Sequence, residues 1–229
     1  MRRWGMVLGI VAVIAATGVM RPVFAAEADA KLDQRLTDAG TVFHELLTTP
    51  DRGVPQELLE KCKCVAVLPH VVKGALVYGA RFGSGVISCR NTLGQWSPPS
   101  FVNLKGGSVG PQIGAESSDL VLFFMNERGA RSLMTSSKFT LGGSASVAAG
   151  PLGRTGEAST DLKLNAEIYT YAKAKGLFAG LSISGARLAA DKTSNARYYG
   201  KPVTVKQLLF DHNAPAVAGG MDAFRKSLP

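Results

Sequence analysis

The chain has 229 residues, with 26 Lys and Arg against 17 Asp and Glu and a formal net charge of +9. Its basic residues are spread along the sequence instead of forming a patch, which argues against a nucleic-acid partner. The three histidines, His44, His70 and His212, are far apart in sequence, so the chain offers little for a metal centre or a histidine general base.

The first 25 residues have the pattern of a cleaved secretory signal peptide. Arg2 and Arg3 precede an apolar run over residues 4–20, and Val23-Phe24-Ala25 is a small-x-small cleavage site. The run is short for a membrane span, and no later segment is long and apolar enough to be one. Cleavage after Ala25 removes three arginines and leaves 23 basic and 17 acidic residues, a net charge of about +6. The new amino terminus would be Ala26 and not a cysteine, so we expect no lipoprotein anchor.

Residues 26–229 are expected to form one domain, because no composition shift or low-complexity linker divides them. Apolar residues recur at helical spacing over residues 28–47 and predict an amphipathic helix that ends before Pro50. The polar face of this helix is acidic, which favours packing of its apolar stripe on the core over binding to an anionic membrane. A second, short helix is predicted over residues 56–61.

From Cys64 onward, short β-rich segments predict a meander with tight turns. We expect its strands to be separated at Pro69-His70 and at residues 83–85. Trp96 and the Pro98-Pro99 pair predict an ordered loop over residues 94–107. The predicted strands cover residues 64–68, 75–82, 85–90, 109–117 and 119–126.

The second half of the chain combines glycine-rich strands with short helices. Small residues with an apolar residue at nearly every second position predict one strand over residues 138–156 and another over residues 177–188. Repeated glycine inside a strand indicates a bend, a bulge or the close approach of another backbone or a ligand. Short helices are predicted over residues 127–134 with Asn126 as the cap, from Asp191 to about Tyr199, and over residues 203–211, whereas residues 214–228 are weakly helical.

A strand predicted within residues 163–175 has an aromatic and basic face. The period of two places Tyr169, Tyr171, Lys173 and Lys175 together on that face. Amphipathic aromatic residues beside lysines suit the headgroup level of an anionic membrane. The alternative is an ordinary solvent-exposed face of a sheet.

Three cysteines, Cys62, Cys64 and Cys89, occur in a chain that we expect to reach an oxidising compartment. Their number predicts one disulfide with one cysteine left over. A metal site is the alternative, but Cys62-Lys63-Cys64 has the wrong spacing for a zinc knuckle and no histidine lies near it in sequence.

Two motifs resemble enzyme sites, but the sequence around them does not fit those sites. Gly106-Gly107-Ser108-Val109-Gly110 matches G-x-S-x-G, and Asp191 and His212 complete the chain order of a serine hydrolase. A nucleophile elbow requires a strand before the serine and a helix after it, whereas the sequence after Ser108 predicts another strand. Residues 150–155 have the character of a phosphate loop but lack the glycine and lysine of a Walker motif, and no dinucleotide fingerprint is present.

Several motifs in the same order resemble the SYLF family of lipid-binding domains. The resemblance spans residues 55–200 approximately and is carried by residues 65–90, 96–126, 141–154 and 169–185, followed by Tyr198-Tyr199-Gly200. It implies a non-enzymatic domain that binds membrane lipids, which are phosphoinositides in eukaryotic members, some of which also bind and bundle actin. Bacterial members are typically exported, and in many of them the cysteines corresponding to Cys64 and Cys89 occur together. The resemblance therefore favours that disulfide and leaves Cys62 as the extra cysteine.

The acidic amino-terminal helix departs from the family pattern, because eukaryotic members use a basic amphipathic helix there for lipid contact. Taken together, the sequence predicts an α+β domain with one or two curved, glycine-rich antiparallel sheets, an amino-terminal amphipathic helix and short peripheral helices. We expect no cofactor, no metal and no catalytic residue. The hypothesis for function is a protein of the bacterial envelope, periplasmic or associated with the outer membrane, that contacts anionic phospholipid headgroups through basic residues.

Two alternatives stay open: a structural or protein-interaction module of the cell envelope, and, more remotely, a serine hydrolase that uses Ser108. The candidate lipid-binding residues are basic or aromatic: Lys73, Arg81, Lys138, Arg154, Tyr169, Tyr171, Lys173 and Lys175.

Overall fold

A computed structural model describes residues 23–49, 53–75, 78–109, 114–135, 139–151, 165–181, 183–215 and 220–229. Six helices and eight strands alternate irregularly along this part of the chain. The helices are α1 Val23–Thr48, α2 Gln56–Lys61, α3 Glu127–Thr135, α4 Lys192–Tyr198, α5 Val205–Leu209 and α6 Met221–Ser227. The strands are β1 Cys64–Ala75, β2 Tyr78–Cys89, β3 Ser100–Val109, β4 Gly114–Phe124, β5 Val147–Ala149, β6 Ile168–Ala174, β7 Leu177–Gly180 and β8 Ala186–Ala190.

The strands form one curled, half-barrel sheet, and the predicted α+β class is confirmed. The order across the sheet is β5-β6-β4-β1-β2-β3-β8, and β7 also pairs with β6. Only the β5–β6 pairing is parallel among the described strands. The long strands β1 to β4 pair as an antiparallel group in the middle of the sheet, so the core is assembled around them.

Strand β1 continues through Pro69-His70, where the sequence predicted a break. The register with both neighbouring strands shifts over residues 68–71, so the chain forms a bulge there instead of a turn. His70 takes a positive φ of 54°, and its backbone N–H donates to Asp119 Oδ1 at 2.9 Å. A bulge accommodates a proline because the local ladder hydrogen bond is already lost.

The glycines of β2 make room for this bulge, and the turn predicted at residues 83–85 is wrong. A Cβ atom at Gly85 would lie 2.1 Å from the carbonyl oxygen of Val67 and 2.7 Å from Cα of Leu68. A Cβ atom at Gly83 would lie 2.5 Å from the Val71 side chain. These positions are glycine because the bulged strand approaches their backbone closely.

The predicted loop over residues 94–107 is shorter in the structure, because β3 begins at Ser100. Phe101, Val102 and Leu104 are all buried, since β3 is paired on both edges and covered on both faces. Of the strands predicted over residues 109–117 and 119–126, Val109 is the last residue of β3, and the described residues from Gly114 to Phe124 form one strand, β4, without a break at Ser118.

The glycine-rich stretch 138–156 does not form the single strand that its alternation predicted. Within its described part, residues 140–145 make a tight turn with Gly142 at φ 81°, and only β5 is a strand. The prediction that another part of the chain approaches these glycines closely is nevertheless confirmed. A Cβ atom at Gly150 would lie 2.2 Å from the Tyr171 ring, and one at Gly180 would lie 2.2 Å from the Gly150 carbonyl oxygen. The strand predicted over residues 177–188 is likewise two strands, β7 and β8, which pair with β6 and β3 respectively.

The helices cover the sheet largely as their caps and periodicity predict. Leu36, Phe43 and Leu46 of α1 are fully buried, which confirms the amphipathic helix packed on the core. Asn126 accepts from Gly129 N–H at the start of α3, and Asp191 accepts from Ser194 N–H at the start of α4. The weakly helical carboxy-terminal segment contains α6, whose Phe224 is buried in the core.

The disulfide between Cys64 and Cys89 is present, as the resemblance favoured, and Cys62 is a free, buried cysteine. The two bonded residues face each other directly across β1 and β2. The Cys62 thiol lies 3.2 Å from the Leu59 carbonyl oxygen, and burial raises its pKa to about 11. Cys62 is therefore a protonated core residue at neutral pH and a poor nucleophile.

Candidate functional site

The two ends of the long strands differ in character. At one end, which we call the disulfide end, Cys64, Cys89 and Phe124 are neighbours across β1, β2 and β4, and all three are buried. The opposite end, which we call the free end, comprises the described parts of residues 71–82, 105–119, 173–178 and 186–187. Exposed basic and apolar side chains meet at this free end.

A cleft of about 390 Å³ at the free end brings together two of the predicted lipid-binding cations. Lys73 of β1 faces Arg81 of β2 across the ladder and faces Glu116 of β4 on its other side. Burial lowers the pKa of the Arg81 guanidinium, and the charge of Glu116 opposes that shift. Arginine stays protonated at neutral pH, so two cations and one carboxylate line the cleft.

The opposite wall of the cleft is apolar and comes from the β6–β7 hairpin. Ala172 and Ala174 of β6 line it together with the hairpin residues Leu177 and Leu181. Leu177 is 65% exposed and Leu181 is 37% exposed. A groove with cations on one wall and apolar side chains on the other can hold an anionic group attached to a hydrocarbon body.

The predicted solvent face of Tyr169 and Tyr171 is wrong, because both rings lie in the core. Tyr169 is 6% exposed and Tyr171 is fully buried. The Tyr171 ring lies edge-on to Phe123 with centroids 5.6 Å apart, and its hydroxyl donates to the Pro151 carbonyl oxygen at 2.6 Å. Residues 168–172 of β6 are all buried, so alternation along this strand does not separate core from solvent.

Of the other predicted cations, the two that the structure describes, Lys173 and Lys175, do not line the cleft. Lys173 points to the opposite face from Ala172 and Ala174 and forms an ion pair with Glu45 of α1. Lys175 is exposed in the turn between β6 and β7. Lys138 and Arg154 lie outside the described residues.

A second groove, of about 540 Å³, was not found from the sequence. It lies between α1 and strands β2 and β3, and its lining includes Arg35, Phe82 and Lys105. Phe82 is 54% exposed and pairs with Lys105 across β2 and β3. Arg35 is oriented by Asp191, 3.7 Å away, and its guanidinium lies 5.6 Å from the centroid of Phe101. The one sequence signal for this groove is the pair Arg81-Phe82 in β2, because consecutive residues of a strand point to opposite faces and would give one basic face and one apolar face.

The serine-hydrolase hypothesis lacks its structural context. Ser108 lies near the end of β3, and the next element along the chain is β4 and not a helix. Asp191 caps α4 and pairs with Arg35, so it is already engaged. Among the described residues, no group of three or more His, Cys, Asp or Glu side chains could hold a metal ion. No helix in the described ranges is long and apolar enough to cross a membrane.

Comparison with known proteins identifies similarity over most of the chain. Residues 105–227 match the family model described as Ysc84, Las17-binding protein actin regulator. The chain is 39% identical over 162 residues to SH3 domain-containing YSC84-like protein 1 of Xenopus laevis, covering 70% of this chain and 48% of that protein. It is 38% identical over 170 residues to the human protein of the same name, covering 74% of this chain and 49% of that protein.

A yeast protein shows a comparable similarity. Protein YSC84 of Saccharomyces cerevisiae is 36% identical over 161 residues, which cover 69% of this chain and 34% of the yeast protein. The matched region thus spans about half the length, or less, of these curated relatives.

Proposed function

The chain belongs to the Ysc84 (SYLF) domain family, a family of binding and regulatory domains, and from that premise we propose that it binds anionic phospholipid membranes without catalysing a reaction. The observation that carries the proposal is the cleft at the free end, where Lys73 and Arg81 lie opposite the apolar wall formed by the β6–β7 hairpin. In this proposal the cations contact phosphate, and the apolar wall contacts the upper part of the acyl chains.

The proposal predicts that the double substitution Lys73→Gln and Arg81→Gln weakens binding to vesicles of phosphatidylglycerol and phosphatidylcholine by about 30-fold. Each cation near an anionic surface contributes about 1 kcal/mol, so loss of two corresponds to roughly this factor. Co-sedimentation at low ionic strength measures the affinity, and added salt should reduce the difference between parent and variant.

The matched control removes two exposed lysines elsewhere, Lys201→Gln and Lys226→Gln, and has the same net charge as the test variant. It should bind like the parent protein. Equal weakening in both variants would mean that total charge and not the cleft drives binding. Equal pelleting of the parent protein with neutral and anionic vesicles would refute the electrostatic contribution.

We also propose that the protein is exported to the bacterial envelope, as the pattern of residues 1–25 and the Cys64–Cys89 disulfide favour. Amino-terminal sequencing of the protein isolated from its own cells is expected to give Ala26 as the first residue. Cleavage there shortens α1 by Val23, Phe24 and Ala25. A first residue within 1–22 would contradict the proposed cleavage site.

A second candidate function is protein binding. It is favoured by the family description, which names Las17 binding and actin regulation, and by the groove with exposed Phe82 beside α1. A protein-binding domain without lipid affinity would not pellet with vesicles of either composition and would still recover a partner in a pull-down. The vesicle assay therefore separates the two candidates.

A further inference from the structure

Exposed large apolar side chains are concentrated at the free end of the sheet. Among the described residues they are Val72, Phe82, Leu93, Leu177 and Leu181. Of these, Val72, Phe82 and Leu177 lie at this end, and Leu181 lines the part of the cleft farther along β6, where its backbone N–H donates to the Thr170 carbonyl oxygen. Leu93 lies in the turn between β2 and β3 at the disulfide end, where its neighbours Asn91, Thr92, Gly94 and Gln95 are small or polar. Isolated exposed leucines are common, whereas a cluster beside cations marks an interaction surface.

The four apolar residues fall on two opposite faces of the sheet. Val72 and Phe82 face each other across β1 and β2, and the next pair along the same ladder is Lys73 and Arg81. Successive residues of a strand point to opposite faces, so Phe82 is on the far side from the cleft. Leu177 and Leu181 line the cleft itself, on the same side as the two cations.

The β6–β7 hairpin presents Leu177 from a tightly defined turn. Ala174 pairs with Leu177, so the loop contains only Lys175 and Gly176. Both have positive φ, 51° and 81°, which is the backbone of a type I′ turn and follows the twist of the strands. A side chain held by such a turn loses little conformational entropy when it is buried by a partner.

The surroundings of the hairpin are predominantly cationic. Lys73 and Arg81 line the cleft, and Lys175 is exposed in the turn directly before Gly176 and Leu177. Among the described residues that line the cleft, Glu116 is the one acidic residue. An apolar tip with cations beside it is complementary to a bilayer, in which an anionic headgroup layer covers a hydrocarbon interior.

We propose that the β6–β7 hairpin is a membrane-inserting element that places Leu177, at its turn, below the headgroups of an anionic bilayer while Lys73, Arg81 and Lys175 contact the phosphates. The inference rests on the proposed lipid-binding function. It adds which face of the sheet contacts the membrane and that the hairpin reaches below the headgroups. The opposite face, which carries Val72 and Phe82, remains away from the lipid.

Added tryptophan reporters test this orientation directly. Leu177→Trp, Phe82→Trp and Leu93→Trp each replace an exposed apolar residue, so each variant should fold like the parent protein. Vesicles contain phosphatidylglycerol and phosphatidylcholine brominated near the top of the acyl chain. Subtraction of the parent spectrum removes the emission of the native tryptophans. We expect the emission of Leu177→Trp to shift to the blue and to be quenched, and the emission of the other two variants to stay unshifted and unquenched.

The outcomes distinguish this inference from the function on which it rests. If the protein pellets with vesicles but Leu177→Trp is not quenched, insertion is wrong and the lipid-binding proposal stands. If Phe82→Trp is quenched instead, the opposite face docks and the inference is overturned. If the parent protein does not pellet, both proposals fail. As an independent measurement, Leu177→Ser should weaken vesicle affinity by about tenfold, and Leu93→Ser should leave it unchanged.

Discussion

Replacing Gly85 with alanine is expected to lower the free energy of unfolding by about 3 kcal/mol, a large fraction of the stability of a typical domain. The added Cβ atom would meet the Val67 carbonyl oxygen at 2.1 Å and Leu68 Cα at 2.7 Å. Both contacts are with backbone of the adjacent strand, which cannot move aside without breaking the ladder between β1 and β2. Urea unfolding followed by circular dichroism measures the change.

Gly74→Ala is the matched control for Gly85→Ala. Gly74 lies in β1 of the same hairpin, and no atom lies within 4 Å of the position that its Cβ would take. Alanine there should leave stability unchanged or raise it by up to about 1 kcal/mol, because it restricts the unfolded chain. If both alanine variants unfold at the parent's urea concentration, the close approach at Gly85 is wrong.

Removal of the disulfide, by Cys64→Ala with Cys89→Ala, is the second large effect that we expect. The bond closes a loop with a sequence separation of 25 residues, which corresponds to about 3–4 kcal/mol in the chain-entropy description. For a protein of this size the melting temperature should fall by roughly 10 °C. Scanning calorimetry under oxidising conditions compares the variant with the parent protein.

Cys62→Ala provides the control, because it removes a buried sulfur without opening a cross-link. We expect it to cost about 1 kcal/mol, from lost packing and from the lost contact with the Leu59 carbonyl oxygen. A reductant should lower the melting temperature of the parent protein and of Cys62→Ala but not that of the double variant. An equal response of all three proteins would contradict a stabilising disulfide.

The fold class and most helices could be predicted from the sequence because their signals are local. The stripe of α1 and the capping residues Asn126 and Asp191 act within a few positions of themselves, and each is confirmed. The breaks between strands were predicted less well. Pro69-His70 and residues 83–85 have the composition of turns. In the structure the bulge at Pro69-His70 packs against the glycines of residues 83–85 across the β1–β2 ladder, and this contact joins segments that are not adjacent in sequence.

The site could be predicted only in part, for a related reason. Lys73 and Arg81 were identified as candidates, but nothing in the sequence indicated that they face each other. The assignment of Tyr171 to a solvent face was wrong because alternation with a period of two separates the two faces of a strand but does not show which face is buried. Here the side chains on both faces are buried over residues 168–172.

The bulge at residues 68–71 divides β1 into two parts. Before it, residues 64–68 are buried and the strand is cross-linked through Cys64. After it, Val72 and Gly74 are exposed, and Ala75 pairs with a glycine on each side, Gly79 of β2 and Gly114 of β4. Because Pro69 donates no hydrogen bond and the backbone N–H of His70 donates to the Asp119 carboxylate, the ladder pairing stops at these two residues and resumes after them. The bulge therefore divides one continuous strand into two lengths of ladder with different registers, one at the cross-linked end and one at the end that carries the cleft.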